Sequence, residues 1–218
     1  AGTSGPVTVD LSGSDYDTGL SVWEGDCANL VLVDCDDDGG TGLTSLISFN
    51  AVAGTTYYLQ CGGFNGARGN GLITLTEGLG MIVCLGEPNS TGAGAALRAE
   101  GSLVVTDNNL MLGVSDLPAN SMGYFVHSME TIFVANPGGS QGNLCIASFD
   151  MGRFANDVLN SGSGSTVSFT PDLNALPIPS GAEPAMAGET RYFQYWYRDT
   201  SMGGATSTFS SAVCVTFE

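Results

Sequence analysis

Asp34, Asp36, Asp37 and Asp38, broken only by Cys35 and closed by Gly39-Gly40, form the densest group of potential metal ligands in the chain, with Asp15, Asp17, Glu24 and Asp26 upstream. Calcium is a hard cation that gathers several oxygen ligands, and carboxylates on a glycine-terminated loop can converge on it. Adjacent carboxylates repel one another unless a cation lies between them. The loop is therefore a calcium candidate, although no Glu stands at the twelfth position of an EF-hand frame that begins at Asp34. Without a cation the same residues make a solvated acidic loop that favours solubility.

Groups for covalent or acid–base catalysis are sparse. His127, in Tyr124-Phe125-Val126-His127-Ser128, is the only imidazole. A serine nucleophile needs a base that a third group orients. No Gly-x-Ser-x-Gly elbow in a strand-to-helix setting accompanies His127, and Ser161-Gly162-Ser163-Gly164-Ser165 reads as a low-complexity turn. Paired-carboxylate glycosidase chemistry assembles only in three dimensions, and no spacing here calls for it. The expectation is a non-catalytic protein. Tyr192-Phe193-Gln194-Tyr195-Trp196-Tyr197 offers aromatic faces that could stack on sugars, but alternation places Phe193, Tyr195 and Tyr197 on one face and Tyr192, Gln194 and Trp196 on the other. At least one of these sets belongs in a core. Asn89-Ser90-Thr91 is the one N-x-Ser/Thr acceptor, which makes Asn89 a candidate glycosylation site.

The elements that would position these groups are strands. Short apolar or alternating runs, such as Val7-Thr8-Val9-Asp10-Leu11, Ser45 to Phe49, Leu110 to Val114 and Ala212 to Phe217, are separated by Gly, Asn, Asp, Ser and Pro. No stretch of a dozen residues carries a helical period. Many short strands between turn signals predict an all-β chain of two tandem β-sandwich domains, Ig-like or jelly-roll-like. A Gly-rich turn at Glu77-Gly78-Leu79-Gly80 divides them into residues 1–79 and 80–218.

Charge narrows the partners. Among 218 residues, 22 acids face 5 basic residues, all Arg, for a net charge of −17. The first domain holds 10 acids against Arg68, a net of −9, and the second 12 acids against four Arg, a net of −8. Nucleic-acid binding through phosphate neutralisation needs a basic footprint and is excluded. Docking on anionic lipid is opposed for the same reason. Apolar runs such as Met81 to Leu85 are far shorter than the ~18 residues that span a bilayer, so membrane insertion is not expected. Ala1-Gly2-Thr3-Ser4-Gly5 has neither a charged nor an apolar leader region, so any export signal is expected to have been removed or to lie upstream.

Six cysteines without a Cys-x-x-Cys pair, beside a single His, point to disulfides and an extracellular or cell-surface location rather than to zinc. Cys27 and Cys35 flank one short loop, Cys84 and Cys145 share the second domain, and Cys61 with Cys214 remains as a bridge between domains or subunits. This is one of about 15 possible pairings.

Ser14-Asp15-Tyr16-Asp17-Thr18-Gly19-Leu20-Ser21-Val22-Trp23, the Cys35-to-Asp38 loop, Thr55-Thr56-Tyr57-Tyr58-Leu59 and Gly62-Gly63-Phe64-Asn65-Gly66 occur in that order. In these motifs residues 5–77 resemble bacterial pre-peptidase C-terminal (PPC) domains, small secreted β-sandwiches appended to extracellular enzymes and surface proteins. The resemblance implies a β-sandwich and places that family's metal loop, where it has one, on Asp36 to Asp38. Members usually begin with further strands ahead of the equivalent of Val7. Residues 84–218 resemble an uncharacterised C-terminal module of large secreted proteins from planctomycete-like and other aquatic bacteria, which implies no activity.

A sandwich short of strands exposes unpaired backbone groups and an apolar groove. The expectation is that a neighbouring subunit completes the first domain, with Val7, Val9 and Leu11 as the assembly strand. Strand donation that runs head to tail does not close, and it yields a homopolymeric filament. The alternative is a carbohydrate- or surface-binding accessory module of a larger secreted enzyme, with glycans as partners. Assembly has to overcome the repulsion between acidic subunits, so added salt or calcium would promote it.

Overall fold

The structure is a computed structural model that describes residues 4–218. It is all-β, and its contacts divide it into two compact units: one runs to Gly78 and includes Thr91–Ala93, and the other comprises Leu79–Ser90 and Gly94–Glu218.

The first unit contains β1 (Gly5–Asp10), β2 (Thr18–Asp26), β3 (Asn29–Asp36), β4 (Leu46–Ala51), β5 (Tyr57–Gly63) and β6 (Thr74–Glu77). They form two three-stranded antiparallel sheets, ordered β4-β1-β6 and β3-β2-β5. Alternation sends Val9, Ile47 and Phe49 from one sheet and Leu20, Val22 and Leu59 from the other into a shared core. Thr18 and Ser45 are buried with them, and their hydroxyls bond each other at 2.9 Å. Burying two hydroxyls in an apolar layer is tolerable because each supplies the other's partner.

The second unit contains β7 (Met81–Cys84), β8 (Ala96–Gly101), β9 (Leu110–Ser115), β10 (Met122–Ser128), β11 (Thr131–Ala135), β12 (Asn143–Ile146) and β13 (Gly152–Arg153). It continues with β14 (Leu159–Asn160), β15 (Val167–Phe169), β16 (Leu176–Ile178), β17 (Gly181–Glu183), β18 (Thr190–Ser201) and β19 (Gly204–Thr216). The central sheet has the order β13-β10-β18-β19-β7, with β14 also paired to β10. One of its faces, bearing Phe125, Phe193, Tyr195, Val213 and Val215, packs on the sheet β15-β9-β8 through Leu97, Leu112 and Val114. The other face, bearing Val126, Phe209 and Ala212, is covered by the β11–β12 hairpin through Leu144 and Ile146. The aromatic run on β18 therefore has apolar cover on both sides, where alternation alone required it on only one.

Two devices hold these layers together. Between Gln194↔Ala212 and Trp196↔Phe209 the β18–β19 ladder shifts register, so Ser210 and Ser211 both stand opposite Tyr195. Such a bulge releases backbone groups from the ladder. Ser210 Oγ takes up the Tyr195 N–H at 3.0 Å, while the Ser211 N–H donates to Ala95 O and Ser211 Oγ accepts from the Leu97 N–H, both at 2.8 Å. The bulge thus ties the central sheet to the β8 segment.

On the opposite face the fully buried Gln194 amide accepts from the Cys145 N–H at 3.0 Å and donates to Asn143 O at 2.8 Å and Ser210 O at 2.9 Å. Beside it the Cys84–Cys145 disulfide joins β7 to the hairpin. Replacing Gln194 with Leu fills a similar volume but strands three backbone groups, two of them fully buried, each worth roughly 1–3 kcal/mol when buried and unsatisfied. Gln194→Leu is expected to lower unfolding stability by about 3 kcal/mol, measured by denaturant titration, and a change below about 0.5 kcal/mol would refute this role.

Candidate functional site

The acidic residues of the first unit mainly build turns. Asp26 Oδ1 accepts the Ala28 and Asn29 N–H groups at 2.9 and 3.1 Å and closes the β2–β3 hairpin. Asp36 Oδ2 accepts the Gly39 N–H at 2.7 Å and the Leu46 N–H at 2.9 Å, and so staples its loop to the start of β4. Asp34 Oδ1 bonds the N–H of Cys35. Asp37 and Asp38 point outward, and the Asp38 carboxyl is raised above its ordinary range by desolvation and then by the charges of Asp37, Asp17 and Asp36. Among the described residues no group of three or more His, Cys, Asp or Glu is placed to hold a metal ion.

The cysteine pairings are corrected in part. Cys84 and Cys145 are bridged, whereas Cys27, Cys35, Cys61 and Cys214 are free. Cys27 sits in the β2–β3 turn, while Cys35 lies far down β3 opposite Ser21. Eight residues of extended chain separate them by roughly 20 Å or more, and a disulfide needs Cα atoms within about 7 Å. Cys61 is exposed on β5, and Cys214 is half-buried within the ladder between Tyr192 and Met81. The Asn89 expectation also changes: its side chain is 9 % exposed, and Nδ2 donates to Asp116 O at 2.7 Å and to the Tyr197 hydroxyl at 3.2 Å. The acceptor nitrogen faces inward, so this fold leaves an N-linked glycan no outlet there.

Val7, Val9 and Leu11 are not an open assembly edge either. β1 is paired on both sides, and Val9 and Leu11 lie in the unit's own core. The edges of that sheet are β4 and β6, and β6 is the one with exposed apolar side chains. Leu75 stands directly opposite Val9 on the core face, yet it is 59 % exposed while Val9 is 0 % exposed. Ile73, just ahead of β6, is exposed as well. Apolar side chains directed at the core side but left in solvent mark a place where the sandwich lacks cover.

The outer face of the sheet β3-β2-β5 carries a cleft of about 550 Å³ lined by Ser21, Cys35, Asp37, Gln60, Phe64 and Asn65. Its floor is Gly19 paired with Gly62, where an added Cβ would meet open space rather than protein. Trp23 and Tyr58 continue the same face as a cross-strand pair.

His127 serves the fold. It is fully buried between the rings of Phe154 and Phe193, and Nε2 donates to Pro177 O at 2.7 Å. Residue 152 must be glycine for this approach, because a Cβ there would fall 1.8 Å from Pro177 O and 2.3 Å from His127 Nε2. Among the described residues Nδ1 has no hydrogen-bond partner. Arg191, 2 % exposed, lies in the same region and bridges Glu189 and Glu183 at 2.7 Å each. No protein-family model and no curated protein matches the chain.

Burial lowers the His127 pKa from 6.5 to about 4; the Pro177 carbonyl, which favours the charged ring, opposes this, and the Arg191 charge adds to it. Below pH ~6.5 the unfolded chain takes up a proton that the folded chain refuses until about pH 4. The contribution of His127 is therefore complete above pH 6.5 and declines on acidification, by at most about 1.4 kcal/mol per pH unit. His127→Gln keeps a neutral amide donor. Stability measured from pH 7 to 4 should fall less steeply in this variant than in the wild type, and parallel profiles would contradict the assignment.

Proposed function

We propose that the chain is a non-catalytic structural subunit of a bacterial extracellular fibril or surface layer, assembled head to tail by β-strand complementation of its first unit. The observation that carries this reading is the open β6 edge, where Leu75 faces the core side in register with Val9 but remains in solvent. A strand added along β6 would pair its free backbone groups and cover Leu75 and Ile73 together. An extracellular setting agrees with the Cys84–Cys145 bridge, and no helix among the described residues is long and apolar enough to cross a membrane. The single imidazole is committed to the Pro177 carbonyl, which supports a role other than catalysis.

A second reading, a glycan-binding accessory module, is favoured by the glycine-floored cleft beside Trp23 and Tyr58. Hydroxyl, amide and carboxylate groups around a flat floor suit an uncharged sugar chain, and neighbouring aromatic faces suit stacking.

Electron microscopy of the concentrated protein separates the two. The fibril reading expects periodic filaments, with Leu75→Lys abolishing them while leaving the thermal midpoint within about 2 °C, since an edge lysine opposes strand addition. Monodisperse monomers that bind neutral oligosaccharides on a glycan array would replace it with the second reading.

A further inference from the structure

Only five residues of the chain are basic, so the placement of each is informative. In the second unit Arg191 is buried against Glu183 and Glu189, and Arg98 pairs with Glu100 at 2.5 Å. Arg153 and Arg198 are both exposed, and neither has a carboxylate within ion-pair distance among the described residues. Both line one cleft of about 410 Å³, together with Tyr124, Trp196, Ser140 and Ser207.

The sheet explains why they meet. Arg153 on β13 is opposite Val126 on β10, which is opposite Gln194 on β18, and Arg198 lies four residues further along β18. All four side chains project from the same face, because cross-strand partners share a face and a strand repeats every second residue. Four residues correspond to on the order of 13 Å, so the two guanidinium groups approach the cleft from opposite ends. Between them Trp196 packs on Tyr124 at 5.1 Å, and Arg198 lies over the Trp196 ring at 5.1 Å. With its ring faces engaged in this way, Trp196 orients a guanidinium more readily than it stacks a sugar. The wall opposite is the Pro137–Gly139 turn of the hairpin, fixed by the Ser140–Ser207 hydroxyl bond at 2.6 Å and the Gln141 N–H to Ser207 O bond at 2.7 Å.

Two arginines spaced in this way suit a ligand with several carboxylates rather than one. The chain itself presents such a group: Asp37 and Asp38 are exposed next to Asp34 and Asp36, and their side chains cap no turn. We propose that the Arg153–Arg198 cleft of one subunit receives the Asp37–Asp38 loop of the next, as a charge-complementary head-to-tail contact. The proposal rests on the fibril reading and names the partner of its second unit. A subunit of net charge −17 repels its copies at long range, and a local arginine–carboxylate contact fixes the register in which they can approach.

A charge exchange at fixed ionic strength tests it, with filament growth and sedimentation as readouts and thermal unfolding as the control for folding. R153E with R198E should raise the concentration needed for assembly by about tenfold or more, and D37R with D38R should do the same. All four substitutions in one chain should restore assembly to near the wild-type value. If wild-type filaments form and either pair of reversals leaves them unchanged, or the combined chain is not rescued, the contact is wrong while the fibril reading survives. A wild-type protein that stays monomeric overturns both. Binding of polygalacturonate by the monomer, lost in R153E with R198E, would assign the cleft to an acidic glycan instead and would also overturn the contact.

Discussion

A sheet buried on both faces has no solvent side on which to leave a polar atom, and the second unit is organised around that constraint. Phe193 and Tyr195 on β18 fill one core, while Val126 and Ala212 fill the other. Gln194 in the same strand is tolerable only because the hairpin above it and the bulge beside it supply backbone partners for its amide. The hairpin in turn is held by that amide and by the Cys84–Cys145 bridge, and it forms the wall of the arginine cleft. Packing, polar satisfaction and the exposed recognition surface are consequences of one arrangement. The first unit obeys a weaker constraint: two three-stranded sheets share a smaller core, and the β6 edge leaves apolar side chains in solvent.

The strands were legible in the sequence because they are short, alternate cleanly and end at turn residues. Leu110 to Val114 and Val7 to Leu11 illustrate this, and the all-β class follows from many such runs without a helical period. Burial on both faces was not legible. Gln194 between Phe193 and Tyr195 looks like the solvent side of an ordinary alternating strand, and only its three backbone partners distinguish it. Proximity in sequence also misled. Cys27 and Cys35 are near neighbours in the chain, but an extended hairpin carries them apart. Asn89 fits a modification motif, yet the motif does not record that its nitrogen is committed to Asp116 and Tyr197.

The acidic cluster shows how local chemistry competes with long-range chemistry. Aspartates near turns readily accept nearby backbone N–H groups, and Asp26 and Asp36 are used in this way. Within Asp34 to Asp38 the exposed pair is Asp37 and Asp38. The arginine cleft left one signal in the sequence, Trp196 and Arg198 two residues apart on a strand and hence on one face. Its second half, Arg153, joins through β10, a contact that spacing along the chain does not encode.

The bulge at Ser210–Ser211 also gives β19 a phase. Phe209 and Ala212 differ by three residues yet face the same hairpin, because the extra serine resets the alternation between them. Downstream of it Val213, Val215 and Phe217 all enter the larger core. Loss of one serine at this point would leave Phe209 and Ala212 two residues apart, the ordinary spacing of one face, so Val213 and Val215 would stay in the larger core while one of the serine contacts, to the Tyr195 N–H or to Ala95 and Leu97, would disappear. The extra residue is thus a joint rather than a frame: the ladder keeps its facing across it, and what the second serine adds is the link from the central sheet to the β8 segment.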